Sequence, residues 1–255
     1  MKVLAFFAHP DDETMFFGGT LALLAKSNVD VDYLCATRGE GGEVGEPPVC
    51  TSDELGLVRE RELACAVKAL GGHSLEFLDY LDPPEGPDGD LYPYADNQDE
   101  VAEKLIQVIR RIKPDTVITH GMNGEYGHPA HLLNYQAAIR AFSSLGDEAS
   151  YLYSVSANFP GHPKPRHINQ DQNAHLVLDV RSTLEQKIQA AMCHRSQHAL
   201  FVRRASEDAG RQVTVPETLL DVESLHRVHP TVRGQIDDRL TEILTPWVVE
   251  VRGSV

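Results

Sequence analysis

The segment His9-Pro10-Asp11-Asp12-Glu13 combines an imidazole with three carboxylates directly after a short apolar run. His9 and Asp12 stand three residues apart across a turn, so both side chains can converge on one cation. Asp11 would point elsewhere and remain unligated. Zinc accepts imidazole nitrogen and carboxylate oxygen, and a catalytic zinc site keeps one position open for water. A free carboxylate beside that water is the arrangement that general-base hydrolysis requires.

The same five residues also suit an ordinary helix start. Proline is tolerated in the first turn of a helix because its missing N–H would have no partner there. Carboxylates in that turn are stabilised by the helix dipole. This interpretation leaves His9 unexplained, since His9 stands at the end of a buried strand, where α/β folds place ligands. The segment by itself leaves both interpretations open.

A second cluster, residues 124–131, contains Tyr126, His128 and His131 and follows a predicted strand that ends at His120. An HxxH pair can supply one metal ligand and one acid behind it. Parallel strands bring their carboxyl ends to one edge of a sheet, so the two clusters are expected to meet there. Together they favour a metal site, with His120 either behind the ligands or a structural imidazole.

Apolar runs alternate along the chain with segments of helical spacing. The predicted strands cover residues 3–8, 29–36, 76–80, 116–120 and 177–180, and the predicted helices cover residues 11–25, 59–70, 100–112, 183–195 and 232–244. Residues 160–173, rich in Pro, His, Asn and Gln, are expected to form a loop. Strands that alternate with helices indicate an α/β fold. We expect a Rossmann-like, doubly wound, mostly parallel sheet with helices on both faces.

Composition limits the classes of function. The 255 residues carry a formal charge of −15, which argues against nucleic acid and against anionic membrane surfaces. No apolar run approaches the length of a membrane span and no signal peptide is recognised, so a cytoplasmic protein is expected. One domain over residues 1–255 is predicted, with a core of about 1–200 and a C-terminal elaboration of about 201–255.

The chain contains four widely spaced cysteines, none of them in a CxxC pair. They are Cys35, Cys50, Cys65 and Cys193. In a chain of this size without a secretion signal, such cysteines are predicted to be reduced thiols. The wide spacing and the lack of a CxxC pair also disfavour a zinc site built from thiolates.

The two clusters together resemble the PIG-L/LmbE family of zinc-dependent N-acetylglucosaminyl deacetylases. The likeness continues through three further segments in the family's order, over roughly residues 1–200. These are Thr37-Arg38-Gly39-Glu40-Gly41-Gly42-Glu43, Arg59 with Glu62-Leu63, and Lys187 through His194-Arg195-Ser196-Gln197. The resemblance implies a hydrolase that removes acetate from an N-acetylglucosamine-containing small molecule and leaves a free amino-sugar.

The resemblance also implies a role for each matching residue. The metal ligands would be His9, Asp12 and His131; the general base would be Asp11; the groups that stabilise the oxyanion or protonate the amine would be His128 and Tyr126; and the substrate contacts would be Arg59, Asp82, Glu40 and Glu43. Zn²⁺ is the expected metal, although His and carboxylate ligands also accept Fe²⁺, Co²⁺ or Mn²⁺. Family members often form homo-oligomers, so the resemblance allows one here.

One position departs from the family pattern. Many members have Asp between the proline and the second histidine of the HPxH motif, where this chain has Ala130. That carboxylate raises the basicity of the neighbouring imidazole, because a nearby negative charge favours the imidazolium. Either another acid takes its place in this protein, or His128 acts mainly as a hydrogen-bond donor.

Three alternatives to deacetylation make different demands on these residues. An amidase acting on a larger sugar amide or thiol-sugar conjugate would use the same residues. A non-catalytic sugar-binding protein should have lost Asp11 or a ligand, and none is missing. A nucleotide-binding oxidoreductase would need G-x-G-x-x-G in the first strand-to-helix turn, where this chain has HPDDE.

Overall fold

An eight-stranded sheet forms the centre of the protein in a computed structural model that describes residues 1–234 and 236–251. Its strands follow the order β10-β8-β9-β5-β4-β1-β2-β3. The strands are β1 (Lys2–Phe7), β2 (Asp30–Thr37), β3 (Ser74–Tyr80), β4 (Thr116–Thr119), β5 (Tyr151–Val155), β8 (Leu176–Asp179), β9 (Val222–His229) and β10 (Val248–Val251), with β6 (Ala157–Asn158) and β7 (Asn169–Asn173) pairing separately. Strands β1 to β5 run parallel, whereas β8, β9 and β10 pair antiparallel.

Helices cover both faces of this sheet. They are α1 (Asp12–Lys26), α2 (Leu55–Ala69), α3 (Gln98–Ile112), α4 (Gly124–Gly127), α5 (Pro129–Leu145), α6 (Leu184–Cys193), α7 (His198–Ala209) and α8 (Arg239–Leu244). The apolar sides of α1, α2, α6 and α8 enter one core, and those of α3 and α5 enter the other. No helix in the described part of the chain is long and apolar enough to cross a membrane.

Strand β1 shows why the sequence folds this way. Successive side chains of a strand point to opposite faces. Val3, Ala5 and Phe7 therefore enter the first core, whereas Leu4 and Phe6 enter the second. All five are at most 2% exposed, and burial on both faces is typical of a central parallel strand.

The carboxyl ends of the neighbouring strands β1 and β4 position the site. β1 pairs with β2 on one side and with β4 on the other, so the strand order reverses there. Open α/β sheets bind ligands in the crevice at such a reversal, beyond the carboxyl ends of the strands. His9 follows β1 and His120 follows β4, so both lie at this crevice.

The predicted fold class is confirmed: the sheet is mostly parallel with helices on both faces. Three local predictions were wrong or incomplete. The expected loop over 160–173 contains β7, a polar strand without hydrophobic alternation to reveal it. The last helix begins at Arg239 rather than 232, because the Asp238 side chain caps it by accepting from the Thr241 N–H. No element was predicted over residues 129–145, 151–155, 198–209 or 222–229, which form α5, β5, α7 and β9.

The C-terminal part contributes directly to the main sheet. Strand β9 lies between β8 and β5 and pairs with both. The predicted boundary near residue 200 stays a prediction.

The prediction that all four cysteines are reduced was wrong for one pair. Cys65 on α2 and Cys193 at the end of α6 form a disulfide, with Cα atoms 5.8 Å apart and a separation of 128 positions in sequence. Spacing along the chain could not show this, because the pair meets only where α2 packs on α6. Cys35 and Cys50 are free thiols.

Candidate active site

His9, Asp12 and His131 meet at the β1/β4 edge. Asp12 is the first residue of α1 and His131 lies in the first turn of α5. One oxygen of the Asp12 carboxylate lies 3.3 Å from His9 Nδ1, and the other lies 3.2 Å from His131 Nε2. The three residues are 7%, 4% and 0% exposed. The predicted ligand set is therefore brought together in a buried position.

The donor atoms of this cluster fit a metal ion. His131 Nε2 is buried and makes no hydrogen bond with any described residue, so its lone pair is available. Two groups of three have ligand atoms within 4.8 Å of one another: His9 with His128 and His131, and Asp12 with His120 and His131. The two groups share His131, so the predicted set of His9, Asp12 and His131 combines one further member from each group. Burial disfavours a charged His9, yet hydrogen bonds and charges from Asp12 and Asp82 raise its pKa to about 9. The carboxylates around His9 thus favour a positive charge at this position.

Asp11 is held beside the cluster by a strained backbone and by neighbouring side chains. Its φ of 123° lies where non-glycine residues are rare, and such strain tends to accumulate at functional sites. The Arg59 guanidinium donates to Asp11 Oδ2 at 3.2 Å, and the Asp11 N–H donates to the Glu13 carboxylate at 2.9 Å. Burial raises the pKa of Asp11 to about 6, although Arg59 opposes this. A carboxylate with such a pKa can act as a base near neutral pH.

His128 is held as a neutral imidazole. It is the N-cap of α5, and its Nδ1 accepts the Ala130 N–H at 3.2 Å. The proton of the neutral ring is therefore on Nε2. Burial, together with the charges of His131 and His9, lowers the pKa of His128 to about 2. The ring stacks on His131 with centroids 4.5 Å apart.

Glu125 is a site residue to which sequence analysis assigned no role. Its carboxylate oxygen Oε2 accepts from Nδ1 of His131 at 2.8 Å and from Nδ1 of His120 at 3.0 Å. The residue is 1% exposed and has a φ of 60° and a ψ of −61°, a conformation that non-glycine residues rarely adopt. Burial alone would raise the pKa of Glu125, but the two histidines lower it to about 2.

An acid near His131 therefore does exist, although residue 130 is alanine. It contacts the histidine predicted to bind the metal rather than His128. The sequence contained a signal for this acid. Glu125 lies inside the second motif, and the carboxylate usual in that motif is replaced by Ala130. Its direction could not be read from the sequence, because the strained turn at Glu125 decides where the carboxylate points.

His120 lies behind the cluster. Its Nε2 accepts the Ala8 N–H at 3.1 Å and lies 3.4 Å from Asp12 Oδ2. The ring stacks on His131 with centroids 3.9 Å apart. Of the two interpretations left open for His120, these contacts favour a position behind the ligands.

Two predicted substrate contacts, Asp82 and Glu40, lie near His9. Asp82 Oδ1 is 3.3 Å from His9 Nε2, and Asp82 is 8% exposed. The Glu40 carboxylate accepts the Asp82 N–H at 3.1 Å and so fixes the loop that carries Asp82.

The other two predicted substrate contacts, Arg59 and Glu43, have different partners. Arg59 is buried and donates to the carbonyls of Gly39 and Pro10 as well as to Asp11. Both Glu43 carboxylate oxygens accept from the Arg203 guanidinium on α7, at 2.7 and 2.8 Å. Arg59 therefore supports Asp11, and Glu43 ties its loop to α7.

His194 connects α6 to the first motif. It is fully buried, and its Nε2 lies 3.0 Å from Glu13 Oε1. The other Glu13 oxygen accepts the Asp11 N–H. The late histidine thus belongs to the chain of contacts that holds Asp11, a link that its position in sequence could not reveal.

A cavity of about 610 Å³ opens from Asp11 and Asp12. This volume falls in the range of small-molecule sites. Tyr126, half exposed, forms part of its wall, with its ring 5.5 Å from that of His131. His162 and His167, in the segment predicted as a loop, also line it.

Comparisons with known proteins agree with this geometry. The family model PIG-L, described as GlcNAc-PI de-N-acetylase, matches residues 4–142. A 1D-myo-inositol 2-acetamido-2-deoxy-alpha-D-glucopyranoside deacetylase of Rhodococcus erythropolis is 30% identical over 238 residues, which cover 77% of this chain and 81% of that protein.

Two solved structures share the fold. N,N'-diacetylchitobiose deacetylase from Pyrococcus horikoshii gives a TM-score of 0.61 at 21% identity, covering 90% of this chain and 86% of that one. GalB, the 4-carboxy-2-hydroxymuconate hydratase from Pseudomonas putida KT2440, gives 0.62 at 23% identity, covering 92% and 99%. These two proteins catalyse different reactions, so the shared fold does not by itself decide the chemistry.

Proposed function

Because this chain belongs to the PIG-L family, we propose that it is a metal-dependent hydrolase that removes the acetyl group from an N-acetylglucosamine-containing small molecule. The products are acetate and the free amino-sugar. The observation that carries the proposal is the buried group of His9, Asp12 and His131 with Asp11 beside it at the head of the cavity. A hydratase must also activate water, so the choice of deacetylation over the reaction of the hydratase that shares the fold is supported by the 30% identical deacetylase and by the family model.

His9, Asp12 and His131 would hold Zn²⁺, for which imidazole and carboxylate are suitable ligands. The free lone pair of His131 Nε2 supports this assignment. When bound, the ion supplies a Lewis acid for the amide carbonyl and lowers the pKa of water. Fe²⁺, Co²⁺ and Mn²⁺ accept the same ligands, so the site tolerates them chemically.

Asp11 takes a proton from the attacking water and passes it to the leaving nitrogen. Its raised pKa of about 6 leaves the carboxylate mostly ionised at neutral pH, yet basic enough to accept a proton. Arg59 holds the Asp11 carboxylate by a hydrogen bond, and Glu13 holds the Asp11 backbone N–H. Because Asp11 both accepts and returns the proton, no second residue has to protonate the leaving nitrogen.

His128 and Tyr126 stabilise the oxyanion that develops on the amide oxygen. A neutral His128 with its proton on Nε2 is a hydrogen-bond donor, and the Tyr126 hydroxyl is a second one. Donors aimed at developing charge in a buried site contribute strongly to catalysis. This role for His128 does not require the carboxylate that Ala130 lacks.

Asp82 would accept a hydroxyl of the sugar, held in place by Glu40. Its proximity to His9 brings such a hydroxyl close to the amide. Arg59 and Glu43 would contribute indirectly, because their charged groups are already bound to Asp11 and Arg203.

Acetate release from N-acetylglucosamine glycosides tests the proposal. The purified protein should release acetate, lose this activity when a chelator removes the metal, and recover it with added Zn²⁺. Full activity of protein shown to be free of metal would overturn the metal-dependent mechanism. Absence of acetate from every glycoside with the metal loaded would overturn deacetylation itself.

A further inference from the structure

The cavity extends well beyond the metal cluster, along a line of aromatic rings. The Tyr126 ring lies 5.5 Å from that of His131 and 5.5 Å from that of His167. His167 belongs to the segment 162–167, which forms one wall, and α7 forms another. We call the part of the cavity beyond Tyr126, between the segment 162–167 and α7, the outer half. A substituent on the sugar would extend into it from the reacting amide.

Apolar side chains cover much of this outer half. They are Leu200, Phe201, Leu220 and Val222, whereas Phe16 lies against the rings of His120 and His131 at the metal cluster. Leu200 lines the cavity and is 46% exposed. These walls suit a flat or apolar linker.

Three cations stand among these apolar residues: Lys164, Arg166 and Arg204. Among the described residues neither arginine has an ion-pair partner, while Lys164 donates to the Thr218 carbonyl. Two carboxylates share the outer wall. Glu223 is bound to Lys187, which leaves Asp208 as the free one.

The charge of the outer wall is opposite to that of the chain as a whole. The chain carries a formal charge of −15, yet this wall has more cations than free carboxylates. Burial, followed by the charges of Lys164, Arg204 and Arg166, lowers the pKa of His167. Burial is the main cause of this lowered pKa; the three cations act in the same direction and Glu125 opposes them, so the charges agree with the geometry of a wall that can attract an anion.

We propose that the outer half of the cavity binds the group attached to the sugar and selects one that carries an anionic end, a carboxylate or a phosphate, beyond an apolar linker. Arg166 and Arg204 are the anion contacts, and guanidinium groups suit both anions by their paired N–H donors. This inference rests on the proposed function and names its substrate class.

A set of three glycosides of N-acetylglucosamine tests it. Their aglycones are 4-carboxyphenyl, 4-phosphonooxyphenyl and the neutral, similarly shaped 4-carbamoylphenyl. We expect kcat/KM for acetate release to favour the charged glycosides by roughly tenfold, since exposed ion pairs contribute modestly. The preference should shrink as salt is raised, because salt screens exposed charges. Comparing the two anions shows which one the site prefers.

The double variant Arg166→Gln/Arg204→Gln should reduce the ratio of charged to neutral kcat/KM to about one. The matched control is Arg61→Gln/Arg233→Gln, which removes two exposed arginines outside the cavity wall and should keep the wild-type ratio. No preference in the wild type, or the same preference in the first double variant, would overturn the anionic subsite while leaving deacetylation intact. No acetate from any glycoside would overturn the proposed function, and the subsite with it.

Discussion

The Glu125 carboxylate accepts a hydrogen bond from His131 Nδ1 at 2.8 Å, on the opposite side of the ring from the free Nε2. A carboxylate behind a metal-binding histidine fixes the tautomer and makes the coordinating nitrogen more basic. Glu125 adopts an unfavourable backbone conformation to reach this position. The contact orients His131, the proposed ligand, whereas the carboxylate missing at residue 130 would have acted on His128.

Replacing Glu125 with Gln should weaken metal binding about 10- to 100-fold, because the amide removes the negative charge behind His131. Competition with a chromophoric chelator measures this without reference to activity. Glu103→Gln, which changes an exposed glutamate on α3, is the matched control and should bind metal like the wild type. Unchanged affinity in Glu125→Gln would show that the contact only supports the fold.

Glu125→Gly separates the carboxylate from the backbone strain. Glycine adopts positive φ at little cost, so this variant should relieve the strain and yet lose metal affinity. Metal affinity and the unfolding midpoint, measured together, distinguish the two effects. Wild-type affinity in the glycine variant would rule out orientation by the carboxylate.

Replacing Asp11 with Asn should lower kcat by about 10²- to 10⁴-fold while metal stays bound, because the amide cannot accept a proton. His131→Ala should instead lose the metal, since it removes a proposed ligand. Metal content by mass spectrometry and kcat by acetate release separate these outcomes. Normal turnover by Asp11→Asn would require another base.

Lys187→Met should destabilise the protein by about 3 kcal/mol, because removing one partner of a buried ion pair leaves the other charge uncompensated. Lys187 Nζ lies 2.7 Å from Glu223, and that carboxylate also accepts the N–H groups of Gly19 and Thr20 in α1. Urea unfolding measures the loss. The exposed Lys68→Met is the control and should change stability by less than about 0.5 kcal/mol. Equal stabilities of the two variants would contradict the argument.

His175 should make folding sensitive to acid. Its Nδ1 accepts the Arg227 N–H at 2.9 Å and its ring stacks on His226, so the folded state favours the neutral form. Burial, with His226 and Arg227, lowers the pKa of His175 from 6.5 to about 4. The contribution to stability is complete above pH 6.5 and is lost as the pH falls from 6.5 toward 4, because the unfolded state then binds a proton that the folded state excludes.

His175→Asn keeps an acceptor for the Arg227 N–H but cannot be protonated. Between pH 7.5 and 5.0 the wild type should lose about 1 to 2 kcal/mol more stability than this variant, because His175 is buried and its pKa falls to about 4. Urea unfolding at both pH values gives the difference. Equal losses would show that His175 has the same pKa in both states.

The sequence by itself determined the fold class and the first motif. Alternating apolar runs and helical segments predict a doubly wound sheet, because strand and helix periodicities are local properties. His9, Asp11 and Asp12 follow one another in a single turn, so their separate directions also follow from local geometry. The second motif could be joined to the first because parallel strands share one edge for their carboxyl ends.

Only the tertiary structure decided which distant groups support that site. Glu125 reaches His131 through a strained turn, His194 reaches Glu13 across 181 residues, and Cys65 meets Cys193 where α2 packs on α6. The ion pair between Glu43 and Arg203 is likewise a contact between residues distant in sequence. Such contacts depend on how elements pack and on how side chains turn within the packed interior, and neither is encoded in the spacing of residues along the chain.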